Sequence, residues 1–310
     1  MTHALVPEIR LSQSKSSMKL PVALAVILMV AVPARAETPI ERGSYLVNTI
    51  LACGNCHTPK TPDGNPIAEK QLSGGGISFT TPAFNAVAAN ITQDDETGIG
   101  TWSDEDIKRA LTEGRRPSHA RLSGVELAAV MPTSFYKALL PRDLDAIVAY
   151  LRTVKPVRNE IPLAEYKMPV VHQPYPDAER GFTAEDLKES VRLGAYLVTI
   201  GHCMECHSAR DRGVSDYVAG FGVGGRKFGP SLVQGVQADW KGSIARNITS
   251  HPDKGIGGWT DDEIKRAITN GFSRDGNKLG PPMAFSWYAG LRADDLSAIV
   301  AWLRTVPARE

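Results

Sequence analysis

The amino-acid sequence repeats itself, and this duplication limits the possible folds more than any other feature of the chain. Three stretches occur twice in the same order and at nearly the same spacing. They are residues 41–57 with 191–207, 98–111 with 255–268, and 144–154 with 296–306. The most similar pair reads LDAIVAYLRTV in the first copy and LSAIVAWLRTV in the second. A repeat of this length predicts one domain present twice, since each copy is long enough to form its own core.

The repeat also predicts where the domains begin and end. We expect a first domain over residues 37–155, a linker over 156–180 and a second domain over 181–310. The linker has no apolar period and is rich in proline: Pro156, Pro162, Pro169, Pro174 and Pro176. Because proline fixes φ and lacks an N–H donor, this composition is typical of a semi-extended connection.

The first 36 residues have the pattern of an export signal. Basic residues precede an apolar run from Leu20 to Val32, and the small-residue triplet Ala34-Arg35-Ala36 follows it. This run is short for a membrane span, which needs about 20 apolar residues, and the triplet suits cleavage before Glu37. We therefore predict a signal peptide over 1–36, with Met18 as an alternative start, and a periplasmic protein. An uncleaved membrane anchor is the alternative.

The repeated segments have the periodicity of helices. Apolar residues of the last repeat fall on one helical face in each copy, for example Leu144, Ile147 and Leu151. The middle repeat begins at a capping box in both copies and ends at a glycine: Ser103 with Asp106 and then Gly114, and Thr260 with Glu263 and then Gly271. No alternating apolar run is long enough to predict a sheet. The predicted class is all-α, with two tandem helical domains.

Each copy contains one CxxCH motif, and the two motifs use every cysteine in the chain. The motif residues are Cys53, Cys56 and His57 in the first copy, and Cys203, Cys206 and His207 in the second. Two thiols at this spacing can attach a haem through thioether bonds, and the adjacent imidazole can bind its iron. A structural zinc site and a redox disulfide are alternatives. Zinc would leave the histidines unexplained, and no βαβ pattern accompanies the cysteines.

Two methionines occupy matched positions downstream of the motifs. Met131 and Met283 each lie five residues before a repeated tyrosine, and each has a neighbouring proline. A lone methionine usually fills a core, but a matched pair in a CxxCH repeat favours binding of the thioether sulfur to iron. We therefore predict His57 with Met131, and His207 with Met283, as two pairs of iron ligands.

Taken together, the chain resembles a class I c-type cytochrome present twice. NITQDDETGIGTWSDEDIKRAL and VMPTSFY in the first copy are more closely similar to the cytochrome c subunits of bacterial periplasmic dehydrogenases for alcohols, gluconate, nicotinate or isoquinoline. This resemblance implies two covalent haems c and a protein that carries electrons without being an enzyme. It also implies a dehydrogenase as donor, an oxidase or another cytochrome as acceptor, and peripheral association with the inner membrane.

The resemblance implies contacts as well. Gly43 is expected to cross closely against Tyr150, and Gly194 against Trp302. The carbonyl oxygen of Pro230 is expected to accept the N–H of the second proximal histidine, with Pro82 in this role in the first copy. Four recurring residues, Asn90, Asn247, Trp102 and Trp259, have two open interpretations: partners of haem propionates, or turn and packing residues.

Charge and ligation restrict the function further. The formal net charge of +1, without a basic stripe, gives no reason to expect a nucleic-acid partner. The alternative function is a dihaem enzyme of the peroxidase or thiosulfate-oxidising type, in which one iron has an exchangeable distal ligand. A methionine available to each iron argues for outer-sphere electron transfer instead, because it leaves no position for a substrate.

Overall fold

The structure is a computed structural model that describes residues 1–2 and 36–310. The chain divides into two units, Met1–Ala36 and Glu37–Glu310, and the second contains both copies of the repeat. Residues 3–35 of the predicted signal peptide, including Met18, lie outside the described residues. Among the residues that are described, no helix is long and apolar enough to cross a membrane.

The helices follow the repeat. Five occur in each copy in the same order, and a further short one, α6, lies between the copies. The helices are α1 Pro39–Asn48, α2 Cys53–His57, α3 Asp104–Glu113, α4 Thr133–Tyr136, α5 Pro141–Leu151, α6 Pro176–Arg180, α7 Ser190–Ile200, α8 Cys203–His207, α9 Asp261–Asn270, α10 Phe285–Tyr288 and α11 Ala293–Leu303. Short 3₁₀ turns lie at Ala68–Lys70 and Asp186–Lys188.

The loops between the helices contain short strands, so the chain is mostly helical with some sheet, and the all-α class is not confirmed. The strands are β1 Ser78–Thr80, β2 Phe84–Val87, β3 Glu165–Tyr166, β4 Arg210–Asp211, β5 Val214–Ser215, β6 Lys227–Phe228, β7 Val233–Gln234 and β8 Ser243–Ile244. The strand order β3-β2-β1-β7 forms one antiparallel sheet, while β4-β5 and β6-β8 form two-stranded sheets. Strands of two to four residues are too short to show alternation in the sequence.

The first and last helices of each copy cross at a glycine, as expected. A Cβ atom built on Gly43 would lie 1.9 Å from the Ala146 carbonyl oxygen and 2.8 Å from Tyr150 Cβ. The equivalent atom on Gly194 would lie 2.8 Å from Trp302 Cβ. Only glycine therefore allows these helix backbones to approach so closely, and the predicted contacts are confirmed.

The predicted helix ends are also confirmed. Ser103 and Asp106 cap α3 reciprocally, and Thr260 and Glu263 cap α9 in the same way. Gly114 and Gly271, which follow these helices, have φ of 71° and 70°, in the left-handed region that glycine adopts without strain.

The linker is bonded to the first copy over part of its length. Its β3 strand pairs with β2, and Asn159 Nδ2 donates to the carbonyl oxygen of Ser73 at 2.9 Å. Further along, Tyr175 is buried and stacks on Phe135. Residues 37–310 form one compact unit, and the domain boundaries at 155 and 181 stay a prediction.

The two copies contact each other through equivalent residues. Tyr45 of α1 donates to Asp295 of α11 at 2.5 Å, and Tyr196 of α7 donates to Asp143 of α5 at 2.7 Å. Each tyrosine oxygen also accepts the backbone N–H just before the helix that it reaches. The first helix of each copy is thus bonded to the last helix of the other. A further contact between the copies is the pairing of β1 with β7.

Candidate haem sites

All eight predicted site residues line one cavity of about 1470 Å³. This set contains the four cysteines, His57, His207, Met131 and Met283. A pocket for a single ligand usually encloses about 300–1000 Å³, so this cavity is larger than one such site needs. Its wall is formed by both copies of the repeat, which brings the two predicted ligand sets to one continuous space.

The two CxxCH motifs form short helices with the same entry geometry. Ala52 precedes α2 with φ of 46°, and His202 precedes α8 with φ of 44°. Left-handed backbone at a residue other than glycine is strained and is often found at functional sites. Its occurrence immediately before the first cysteine in both copies indicates that the chain must turn sharply there to present each motif to the cavity.

A backbone carbonyl orients each motif histidine. His57 Nδ1 lies 2.7 Å from the carbonyl oxygen of Ala89, and His207 Nδ1 lies 2.7 Å from that of Arg246. These bonds require Nδ1 to carry the proton, so Nε2 is free to bind a metal. Burial also lowers the pKa of both histidines, which favours the neutral, ligating form.

The expected proline partners are therefore wrong. The carbonyl oxygen of Pro230 accepts from Gln234 Nε2, and the bond to His57 comes from Ala89 and not from Pro82. The path of the chain explains the difference. In each copy the chain runs past the CxxCH helix just before it reaches the recurring NIT sequence, and a carbonyl oxygen at that point bonds the histidine. Ala89 and Arg246 directly precede that sequence. Their matched position is the one signal that would have identified them.

The four cysteines form no disulfide and lie half-buried at the cavity wall. Burial raises the pKa of Cys53 and Cys203 to about 12 and that of Cys56 and Cys206 to about 11. Across residues 1–2 and 36–310, no group of three or more His, Cys, Asp or Glu side chains has the arrangement of a metal site. The zinc and disulfide alternatives thus have no counterpart in the described part of the chain.

The two predicted methionine ligands lie just before the short helices α4 and α10. Both are half-buried and both line the cavity. Met168 is 57% exposed in the linker, and Met204 is fully buried in the core. Met131 and Met283 are therefore the described methionines that line the cavity, and their binding to iron stays a prediction.

Two buried tyrosines also form part of the cavity wall. Tyr136 and Tyr288 are at matched positions and line the cavity. Burial raises the pKa of each hydroxyl well above its usual value, and nearby cysteines raise it further. These cysteines are Cys53 and Cys56 for Tyr136, and Cys203, Cys206 and Cys56 for Tyr288.

The asparagines of the NIT sequences act in turns. Asn90 Nδ2 donates to Val157 O at 2.7 Å, and Asn247 Nδ2 donates to Arg309 O at 2.8 Å. Each side-chain oxygen accepts from the threonine two residues later. Both amides are thus used to fix the chain that follows the last helix of their copy. The turn interpretation is supported over a propionate contact.

An unpaired donor at the cavity wall tests whether a haem fits. Five buried side-chain polar atoms lack a partner among the described residues, and only Trp240 Nε1 belongs to a residue that lines the cavity. An indole N–H can only donate, and an unmet buried donor costs about 1–3 kcal/mol. A ligand with carboxylates, such as the propionates of haem, would be able to accept this hydrogen bond. The thiols, free imidazole nitrogens and thioethers supply the remaining chemistry, so the residues present fit haem.

The surroundings of the two motifs differ in charge. Asn55 lies within the first motif, whereas the second has Glu205, which lies 3.2 Å from His202 Nδ1. Burial alone would raise the pKa of Glu205, but His202 and Arg226 hold it below its usual value. Arg226 also donates to the Glu205 carbonyl oxygen. Lys60 donates to the Asn55 carbonyl oxygen, so each motif has a neighbouring cation, but only the second motif also contains a carboxylate.

Comparison with known proteins identifies the kind of domain that forms these sites. Residues 191–307 match the family described as cytochrome c. The second copy is therefore a cytochrome c domain, which implies a covalently attached haem c with its iron.

Relatives that include proteins named as cytochromes align with most of the chain. The chain is 29% identical over 306 residues to one of the subunits of nicotinate dehydrogenase from Pseudomonas putida, covering 90% of this chain and 23% of that protein. It is 30% identical over 302 residues to the fructose dehydrogenase cytochrome subunit of Gluconobacter japonicus, covering 89% of this chain and 54% of that protein. It is 27% identical over 274 residues to a diheme cytochrome c-type protein of Cereibacter sphaeroides, covering 83% of each.

These relatives confirm the resemblance predicted from the sequence. The chain spans about a quarter and about half of the lengths of the first two relatives. The second and third are cytochromes by name, and the second is the cytochrome subunit of a dehydrogenase. This agrees with the prediction that the chain is an electron-transfer subunit and not itself the catalytic enzyme.

Proposed function

We propose that this chain carries electrons through two covalently attached haems c, one for each copy of the repeat. The observation that supports this most strongly is the cavity. Both CxxCH helices and both matched methionines lie on its wall, and each motif histidine has its Nε2 left free by a carbonyl bond to Nδ1. The diheme relative, which matches the chain over most of its length, supports the same haem count.

In this proposal each residue type has a separate role. Cys53 and Cys56 attach the first haem, and Cys203 and Cys206 attach the second, through thioether bonds. Ala89 and Arg246 hold the proximal imidazoles through their carbonyl oxygens, which fixes the tautomer and the ring orientation. When bound, a haem supplies an iron that takes up one electron as it passes from the ferric to the ferrous state.

The methionines decide between carrying electrons and acting on a substrate. Met131 and Met283 are the proposed sixth ligands, and they are held at the cavity wall by the short helices α4 and α10 that follow them. With a histidine and a methionine on each iron, no coordination position remains for a substrate. The chain's own residues therefore favour outer-sphere electron transfer over chemistry at an open iron.

We further propose a periplasmic role between two partners. The donor is a dehydrogenase and the acceptor is an oxidase or another cytochrome of the respiratory chain, with peripheral attachment at the inner membrane. The names of two relatives as dehydrogenase subunits support the donor. The export pattern of residues 1–36 supports the location. Co-purification of the holoprotein with a dehydrogenase that reduces it tests this assignment.

The haem count and ligation are tested on the purified holoprotein. Intact mass is expected to show two haems per chain, and one after paired substitution of Cys53 and Cys56, or of Cys203 and Cys206, by alanine. The weak red absorption band of ferric iron bound to methionine is expected to lose about half its intensity in Met131→Ala and in Met283→Ala. A single haem per chain contradicts the count. A high-spin iron in the wild type, or turnover with peroxide, favours the dihaem enzyme instead.

A further inference from the structure

The CxxCH helix of the first copy contacts the methionine segment of the second. Asn55, which lies between the two cysteines of α2, donates from Nδ2 to the carbonyl oxygen of Pro282 at 2.9 Å. A Cβ atom built on the neighbouring Gly54 would lie 2.1 Å from Trp287 Cη2, so the indole of α10 rests directly on α2. The two contacted residues lie on either side of Met283 in the sequence, Pro282 before it and Trp287 after it.

The methionine segment of the second copy has few other hydrogen bonds. Its residues 280–283 read Gly-Pro-Pro-Met, and the two prolines have no N–H to donate. In the part of the chain that the structure describes, residues 281–282 form a turn, and two side-chain hydrogen bonds reach this segment. Ser243 Oγ donates to Pro281 O from within the second copy, and Asn55 donates to Pro282 O from the first. The carbonyl next to Met283 is therefore fixed from the other copy.

The first copy holds its own methionine differently. Met131 N donates to Ala128 O at 2.8 Å, and Met131 O accepts from Thr133 N at 2.8 Å. Both partners lie within the same copy. At the position of Asn55 the second motif has Glu205, whose carboxylate lies against His202 in its own copy. A hydrogen bond from the CxxCH motif of one copy to the methionine segment of the other is thus found at Met283 and not at Met131.

We propose that Asn55 and Gly54 of the first copy are positioning residues for the methionine ligand of the second. Asn55 fixes the Pro282 peptide, and the absence of a side chain at Gly54 lets Trp287 close the segment onto α2. This inference rests on the proposed binding of Met283 to the second iron. Its consequence is that residues of the first motif control how firmly the second iron keeps its methionine, whereas the backbone hydrogen bonds of Met131 stay within its own copy.

The test separates the two methionines in one sample of the holoprotein. In the ferrous state each iron-bound methionine gives its own upfield-shifted methyl resonance, and Met131→Ala and Met283→Ala assign the two. Asn55→Leu removes the donor at similar volume, and Gly54→Ala displaces Trp287. Removing one hydrogen bond is expected to increase dissociation of Met283 by about 2- to 10-fold, measured by temperature or urea titration of its resonance. The Met131 resonance is expected to titrate as in the wild type.

Two further variants complete the design. Asn55→Ser keeps a short donor and is expected to restore part of the Met283 midpoint relative to Asn55→Leu. Glu205→Gln, at the matched position of the second motif, is expected to leave the Met131 midpoint unchanged. The proposal is overturned if Asn55→Leu leaves both midpoints unchanged, or lowers both equally. If the wild type itself lacks a Met283 resonance, the proposed ligation fails, which this experiment distinguishes from failure of the positioning role.

Discussion

Asp143 is a fully buried carboxylate that receives hydrogen bonds from both copies of the repeat. Arg42 of its own copy donates from Nε and Nη2, each at 2.9 Å, and Tyr196 of the other copy donates at 2.7 Å. Burial alone would raise the pKa of Asp143, but Arg42 and Tyr196 hold it below its usual value. The folded state therefore favours the ionised form, so this group links stability to pH.

We predict that Arg42→Ala lowers the free energy of unfolding by about 3 kcal/mol at neutral pH, because it leaves a buried carboxylate without its cation. Since the folded pKa of Asp143 is depressed, the stability from this pair is present above the unfolded pKa of about 3.9. It is lost as the pH falls through the lower folded value. Urea unfolding at several pH values should show wild type and variant converging in acid.

Arg142→Ala is the matched control for this prediction. Arg142 Nε lies 3.5 Å from the same carboxylate, but its side chain is 62% exposed, so the change should cost less than about 1 kcal/mol. Equal losses in the two variants would contradict the assigned role of Arg42.

At the same scale, the sequence identified the kinds of site residue but not all of their partners. Cysteine, histidine and methionine are recognisable because their chemistry restricts where they occur. The carbonyl groups of Ala89 and Arg246 carry no side-chain signal, and every residue has such a group. Which carbonyl reaches a histidine depends on the path of the intervening loop, and that path differs in length between the copies. Asn55 and Trp240 carry no sequence signal for a related reason, since neither recurs at its matched position.

At the scale of secondary structure elements, the crossing of α1 with α5, and of α7 with α11, determines how each copy packs. We predict that Gly43→Ala and Gly194→Ala each lower the free energy of unfolding by about 1–3 kcal/mol, because the added methyl group meets a backbone carbonyl. A Cβ on Gly194 would lie 2.0 Å from Ala298 O, too close for a local shift to relieve. Urea unfolding of the holoproteins measures the loss.

Gly229→Ala serves as the control for the helix crossings. A Cβ atom at Gly229 has no neighbour within 4 Å, so this variant should be within about 0.5 kcal/mol of the wild type. If Gly43→Ala has the same free energy of unfolding as Gly229→Ala, the prediction is wrong, because α1 and α5 would then move apart without loss of stability.

The helices were predictable because apolar period, capping residues and terminal glycines agree with one another in both copies. The strands were not, because β1 to β8 have at most four residues and depend on partners distant in sequence. The pair β1–β7, for example, joins residues from different copies. No pattern within one copy contains the information for such a pairing.

At the scale of the whole molecule, the duplication predicts two similar halves but not how they meet. The residues that join the copies recur at matched positions, Tyr45 with Tyr196 and Asp143 with Asp295. This recurrence is equally compatible with tyrosine–aspartate hydrogen bonds inside each copy. In the structure the bonds run between the copies, and residues 37–310 form one compact unit. Two halves joined in this way should open together, because opening one exposes a buried group of the other.

We predict that the amides of α1 and α5 exchange with solvent at the same free energy as those of α7 and α11 in the wild-type holoprotein. In Tyr45→Phe/Tyr196→Phe, each carboxylate loses a hydrogen bond worth about 1.5–3 kcal/mol, while both phenyl rings keep their packing. Asp143 retains Arg42, so the first copy should remain the more protected half. Hydrogen exchange measured by mass spectrometry, peptide by peptide, should then show two opening free energies in place of one. Two different opening free energies in the wild type would contradict this prediction. They would mean that the copies unfold independently and that the tyrosine hydrogen bonds do not couple them.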